Sequence, residues 1–282
     1  MPELATYVER LSLVIEIGGM PVRINTTDPG FLAMLQDRYA GFVTSSGNEH
    51  DVQGSAEITF DVHLAPPGSA HPDADVSVTH YQGRWTLTRG DFRAEWEPAS
   101  RTGWIRQTAN PYSIDAVLRI VHTLVLARQG GFLLHSASAI RNGKAFLFAG
   151  VSEAGKTTIS RLAPPDVTLL TDEISYVRKD VRKPGAGYTA FGTPFTGELA
   201  KLGENVSAPL AALYLLAKGT ENRIDPIPPG EATRSLLANL LFFAQDEELV
   251  QATFNSAFEF VSRVPVARLT FVPDARVWEL IG

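Results

Sequence analysis

The chain has 282 residues, of which 44 % are hydrophobic and 20 % charged, a composition that supports a large folded core and excludes a disordered or fibrous protein. Its formal charge is −6 and no sustained Lys/Arg run occurs, which argues against a reader of nucleic-acid backbones, because such a protein needs a basic face to displace counterions. Cysteine is absent, so disulfides, zinc–thiolate sites and cysteine nucleophiles are excluded and any metal must be held by hard ligands.

The N-terminus lacks a basic start followed by an apolar core of signal-peptide length, and no apolar stretch approaches the roughly 18 residues that span a bilayer. A cytoplasmic protein without membrane attachment is expected, and homo-oligomerisation is left open. Leu11 to Ile17 and Met20 to Asn25 flank Gly18-Gly19 and read as a hairpin. Phe31 to Phe42 places apolar residues at helical spacing, and Ala56 to Leu64 alternates as a strand. Pro66 to Pro72 reads as a loop, after which Val76–Tyr81, Arg84–Arg89, Phe92–Glu97 and Thr102–Gln107 form an antiparallel meander broken by turns. Residues 1–109 thus make a β-rich domain or subdomain.

Ser113 to Gln129 carries Ile114, Val117, Leu118, Val121, Leu124 and Val125 on one helical face and ends at Gly130-Gly131. Phe132–Ile140 and Lys144–Ala149 are apolar strands bracketing Asn142-Gly143, a strong hairpin signal. The second strand runs into Gly150-Val-Ser152-Glu153-Ala154-Gly155-Lys156-Thr157, a complete GxxxxGKT phosphate loop. Small residues let its backbone N–H groups turn around phosphate oxygens, Lys156 reaches the outer phosphates and the Thr157 hydroxyl ligates magnesium. Thr158 continues into a helix that Pro164-Pro165 stops early.

Val167 to Leu170 then delivers the acidic pair Asp172-Glu173, expected on a strand next to the loop, in a mixed rather than doubly wound sheet. Gly185–Gly187 reads as a turn, Leu210–Lys218 as a strand, Pro226–Gly230 as a loop, Ala232–Phe243 and Glu247–Val261 as helices, and Pro265–Phe271 as a last strand.

The order Leu134-His135-Ser136-Ala137-Ser138, Gly150 to Thr158, Leu169-Leu-Thr-Asp172-Glu173 and Gly192-Thr-Pro-Phe-Thr-Gly-Glu198 resembles the kinase core shared by HPr kinase/phosphorylase and phosphoenolpyruvate carboxykinase. It looks most like HPr-kinase-related proteins and the kinases of lasso-peptide clusters. The resemblance covers residues 110–282 and implies an α/β (α+β) fold with a P-loop core behind the β-rich N-terminal region. It also implies transfer of the ATP γ-phosphate, with Mg2+, to a hydroxyl, most simply a serine, of a protein, peptide or small metabolite. Lys156 would hold the β and γ phosphates and Thr157 the metal. Asp172 and Glu173 would share metal binding and activation of the acceptor, in an order the sequence leaves open.

His135 would pair with a carboxylate or assist a metal; the alternative is a core histidine satisfied by a carbonyl. Glu198 is a substrate-loop candidate and Arg223 a nucleotide contact, each with a plain surface-charge alternative, and Arg161 reads as a solvated residue. Two departures stand out. Glu153 occupies a loop position where the related families usually carry Gly, bringing charge and a stiffer backbone to the phosphates. Glu173 stands where Asp is common, moving its carboxylate by about 1.5 Å. A nucleotide-binding regulatory protein with little turnover is therefore the competing expectation. Residues 1–109 do not look like the N-terminal domain of true HPr kinase, so HPr itself is not the expected acceptor.

Overall fold

The computed structural model of the chain describes residues 9–48, 58–66, 74–180, 187–197, 199 and 203–282. Two compact units divide the chain, 1–118 and 119–282. The first holds β1 (Leu11–Ile17), β2 (Met20–Thr26), α1 (Pro29–Arg38), β3 (Val43–Asn48), β4 (Ile58–Leu64), β5 (Ser77–Tyr81), β6 (Arg84–Arg89), β7 (Phe92–Glu97) and β8 (Thr102–Gln107). Its sheet runs in the order β3-β1-β2-β4-β8-β7-β6-β5. The β1/β2 hairpin and the β5 to β8 meander are as expected, but β4 pairs parallel to both β2 and β8. Alternating residues Ile58, Phe60 and Val62 of β4 and Phe92, Ala94 and Trp96 of β7 are buried between more exposed neighbours, the half-buried pattern of strands with one covered face.

Helix α1 starts where Asp28 caps the amide of Phe31 at 2.8 Å and stops at Arg38, short of the expected Phe42. The apolar spacing beyond Arg38 belongs to a turn in which Phe42 donates its amide to the Tyr39 carbonyl at 2.8 Å. Phe42 is still fully buried, so its hydrophobicity marks burial and not helix.

The division between the units falls inside α2 (Pro111–Gln129). The second unit continues with β9 (Phe132–Arg141), β10 (Lys144–Ala149), α3 (Lys156–Arg161), β11 (Thr168–Thr171), β12 (Ile174–Lys179), β13 (Tyr188–Phe191) and β14 (Ser207–Lys218). It ends with β15 (Arg223–Pro226), α4 (Pro229–Asn239), β16 (Leu240–Leu241), α5 (Glu247–Arg263), β17 (Val266–Phe271) and a 3-10 turn at Ala275–Leu280. Its strands run β10-β9-β12-β13-β14-β17-β15, with β11 and β16 also on β9. A parallel β10–β14 pairing closes the path from β9 through β12, β13 and β14 back to β10. The fold is mixed α/β, built on two large mixed sheets.

Strand β10 shows why its sequence reads as one apolar run. Ala145, Leu147 and Ala149 join a core with Leu236 of α4 and Phe260 of α5. Phe146 and Phe148 join another with Ile159 of α3 and Trp278. A strand covered on both faces needs no polar alternation.

Helix α4 differs from the expected Ala232–Phe243. It begins at Pro229, where a ring without an N–H costs nothing in the first turn. It ends at Asn239 because Leu240 and Leu241 turn extended and pair with Leu134 and Leu133 of β9. The expected loop over Pro66–Pro72 and turn over Gly185–Gly187 lie largely outside the described residues.

Candidate functional site

The β9/β10 hairpin sets the position of the phosphate loop. Arg141 and Lys144 pair across Asn142 (φ 51°) and Gly143 (φ 71°), and Ala149 at the end of β10 pairs with Ser136. The chain leaves the sheet there and re-enters regular structure at Lys156, the first residue of the six-residue helix α3. Gly155 has φ 111°, and a Cβ on it would lie 2.7 Å from the Phe271 ring. Backbone conformation and packing therefore both demand glycine. Glu153 also has a positive φ of 63°, so the loop holds a non-glycine residue in the left-handed region. The Lys156 ammonium arches back over the loop and donates to the Gly150 carbonyl at 2.9 Å and that of Val151 at 3.4 Å.

The acidic pair is not on a strand beside the loop, as the sequence predicted. Asp172 and Glu173 form the connection between β11 and β12, both of which pair with β9, so β9 stands between them and β10. The Thr171 hydroxyl accepts the amides of Glu173 and Ile174 at 3.2 Å each, a side-chain turn that ends β11. Register still brings the two sides together: Thr171 is opposite Ser138 and Ile174 opposite His135, while Ala149 is opposite Ser136. A short stretch of β9 thus has the phosphate loop leaving on one side and the carboxylates on the other.

A cavity of about 510 Å³ results, lined by His135, Ser152, Glu153, Gly155, Lys156, Thr157, Thr158, Asp172 and Glu173. Gly197 and Lys218 complete the lining. Gly150 and Ala154 belong to the loop behind this surface, Gly150 as the acceptor of the Lys156 bond and Ala154 as a buried residue of the core beside α3. Asp172 is buried and accepts the backbone amides of Gly197 and Leu199, each at 2.9 Å, one on each carboxylate oxygen. The Glu173 side chain is 28 % exposed and lies 4.0 Å from an Arg119 guanidinium nitrogen. Arg119 in turn sits over the Phe195 ring, 4.9 Å from its centroid.

His135 is half-buried at the cavity wall. Burial first, then the positive charges of Lys156 and Arg119, hold its imidazole below the ordinary histidine range, which favours the neutral ring near neutral pH. Thr157 contributes a hydroxyl and Asp172 and Glu173 carboxylates to one surface, an all-oxygen donor set of the kind magnesium prefers. Among the described residues no group of three or more His, Asp or Glu side chains is arranged to hold a metal unaided. A metal here would share its coordination with phosphate oxygens and water, as magnesium in nucleotide sites does.

Arg223 lies elsewhere. It is an exposed residue of β15, hydrogen-bonded to Asp225 at 2.8 Å and Glu221 at 2.5 Å, and is not part of the cavity lining. Arg161 is exposed on the last turn of α3, as a solvated residue should be. Glu198 lies outside the described residues.

Two cations went unread in the sequence. Lys218 closes β14, which runs parallel to β10 with Leu215 opposite Ala149, so the strand carries it past the start of the phosphate loop. Its signal was a charge ending a long apolar strand. Arg119 was a lone charge inside an apolar helical stretch, and such a residue needs a polar partner.

Residues 106–282 match the family model of SynChlorMet cassette protein ScmC. The chain belongs to that family. The matched region begins in β8 and contains every residue of the cavity. No curated protein matches the chain. The family name states no chemistry, so the activity has to be argued from the cavity.

Proposed function

We propose that the chain is an ATP- and magnesium-dependent kinase with an HPr kinase-like P-loop core, working in the cytoplasm and transferring the γ-phosphate to a hydroxyl. The acceptor is a serine of a protein or peptide, or the hydroxyl of a small metabolite. The observation that carries this reading is the single cavity in which the GxxxxGKT loop faces two carboxylates. Phosphoryl transfer asks the protein mainly to place the reactants in line and to neutralise charge. Lys156 and Lys218 supply positive charge on the phosphate side. Thr157, Asp172 and Glu173 are the residues that would hold magnesium, which supplies charge neutralisation on the phosphates. The acidic pair also offers a base within the same cavity for the acceptor hydroxyl, and His135, held neutral, can accept or donate a hydrogen bond beside it.

The reading is tested by following phosphate release from ATP, and its transfer when protein extract is added, with wild type and with the double variant Asp172→Asn/Glu173→Gln. A kinase gives metal-dependent turnover that the double variant loses by at least about a hundredfold. Turnover equal in the two proteins contradicts the reading.

One observation favours a second reading, a nucleotide-binding regulatory protein without turnover: Glu153 lines the same cavity with a negative charge and a strained backbone. That reading expects tight nucleotide binding with no phosphate released from either protein.

A further inference from the structure

We infer that Trp278 is a positioning residue for the phosphate loop: its indole N–H caps the short helix that carries Lys156, Thr157 and Thr158, and so fixes where those side chains meet a ligand. The inference rests on the nucleotide reading for what the loop holds, whereas the cap stands on contacts of the fold.

Helix α3 is six residues long and lines the cavity with its first turn. So short a helix has little stability of its own and depends on what holds its ends. Its far end is short of donors. Pro164 and Pro165 carry no N–H, and the last amide before them, that of Ala163, goes to the Ser160 carbonyl at 3.4 Å. The Ile159 carbonyl, which Ala163 would serve in a continuing helix, takes the indole N–H of Trp278 instead, at 3.2 Å. Ile159 is fully buried and Trp278 is 1 % exposed, so water offers that carbonyl no substitute, and an orphaned acceptor there is costly.

Trp278 is in turn held to the hairpin that feeds the loop. Arg141, at the end of β9, donates to the carbonyls of Trp278 and Ile281, the latter at 2.9 Å. The indole meets Phe148 of β10 edge-on, with ring centroids 5.4 Å apart. Asp274 starts the 3-10 turn by accepting the Arg276 amide at 2.9 Å, which fixes the turn that presents the indole.

The same segment also supports the start of α3. Phe271 ends β17 just before the 3-10 turn, and its ring fills the space beside Gly155, where a Cβ would lie 2.7 Å away. Phe271 and Trp278 thus hold the two ends of the stretch from Gly155 to Ile159, and that stretch presents Lys156 and Thr157 to the cavity. Packing alone would be served by any large apolar side chain. Tryptophan adds to that bulk a ring N–H donor.

Two variants separate the cap from the packing. Trp278→Phe keeps a ring in the core and loses the N–H, whereas Ile281→Val thins the same core and keeps the indole bond. Hydrogen exchange at the amides of Ile159 and Leu162 should quicken at least about tenfold in Trp278→Phe and less than about threefold in Ile281→Val, with melting curves checking that each folds. Calorimetric titration with ADP and Mg2+ should give an affinity at least about fivefold lower in Trp278→Phe and within about twofold of wild type in Ile281→Val. A third readout needs no variant: in the NMR spectrum of wild type, the indole N–H signal of Trp278, assigned by its cross-peaks to Ile159, should move when ADP and Mg2+ are added. Exchange at the wild-type rate in Trp278→Phe overturns the inference, as does an indole signal that stays in place while ADP binds. If wild type binds no ADP, the nucleotide reading falls, and the exchange data still decide whether Trp278 caps the helix.

Discussion

Buried carboxylates are used in opposite ways in the two units. In the first, Asp91 is held by two bonds from Arg89, at 2.5 and 2.7 Å, and one from the Ser113 hydroxyl at 2.7 Å. Asp115 there takes a bond from Arg38 at 2.5 Å and one from the Tyr39 hydroxyl at 2.6 Å. Burial alone would push Asp91 up, but the bonds from Arg89 and Ser113 outweigh it and hold the carboxyl below its ordinary value. In the second unit, Asp172 is bonded by backbone amides rather than by a cation, beside Glu173 and facing a cavity that also contains Lys156. A carboxylate that serves the fold is neutralised at once by an arginine. The one that faces the cavity is held by backbone amides instead.

That contrast can be broken at several points, the largest effect first. Arg89→Ala strands a carboxylate whose side chain is 1 % exposed and should cost about 3 kcal/mol of stability in urea titration, as removal of one partner of a buried pair does. A cost under about 1 kcal/mol would mean that Asp91 is not neutralised in the way described.

The buried His122 of α2 should give the next largest effect. Its Nδ1 lies 3.2 Å from the Tyr176 hydroxyl, and burial, aided by the charge of Arg178, drives its pKa down to about 3. In the unfolded chain it titrates near 6.5, so below that pH the unfolded state binds the extra proton. The contribution of neutral His122 is complete above about pH 6.5 and is lost as pH falls toward 3. Between pH 6.5 and 5 this amounts to about 2 kcal/mol. His122→Leu should flatten that limb of a urea-midpoint profile, and an unchanged limb would refute the assignment.

Lys156→Ala should leave stability within about 0.5 kcal/mol while weakening ADP binding by at least about tenfold, or about 1.4 kcal/mol, in calorimetric titration. Loss of stability comparable to that of Arg89→Ala would erase the distinction between fold and site charges. Glu153→Gly removes both a charge and a positive φ, and should tighten nucleotide binding severalfold with a stability gain of up to about 1 kcal/mol. Weaker binding would show that Glu153 serves the nucleotide. Arg223→Ala, on the exposed edge strand, should change neither stability nor ADP affinity measurably, and a tenfold loss of affinity would restore it to the site.

What could be read in the sequence was local. Asn142-Gly143 announces the hairpin that feeds the loop, Pro164-Pro165 the early end of α3, and the spacing of Gly150, Gly155, Lys156 and Thr157 the loop itself. The mixed sheet followed from a hairpin leading into a phosphate loop. What could not be read depends on residues far apart in the chain. Leu240-Leu241 is a strand only because Leu133 and Leu134 are there to pair with it, and a two-residue apolar step after a helix looks like more helix. The placement of Asp172 and Glu173 in a turn depends on the Thr171 hydroxyl, a side-chain cap indistinguishable in sequence from another strand residue. Lys218 enters the cavity through the pairing of β14 with β10, and Arg119 comes beside Glu173 and Phe195 through the approach of α2, which no local pattern encodes. A glutamate is ill suited to a positive φ, yet Glu153 adopts one at 63°, and the loop carries the strain.

The central claim is that the cavity between the phosphate loop and the acidic pair is a metal-dependent nucleotide site. Calorimetric titration of the wild-type chain with ADP, in the presence and absence of Mg2+, tests it most directly. The account predicts one site per chain, with affinity that rises when Mg2+ is added. Absence of binding under both conditions would contradict it.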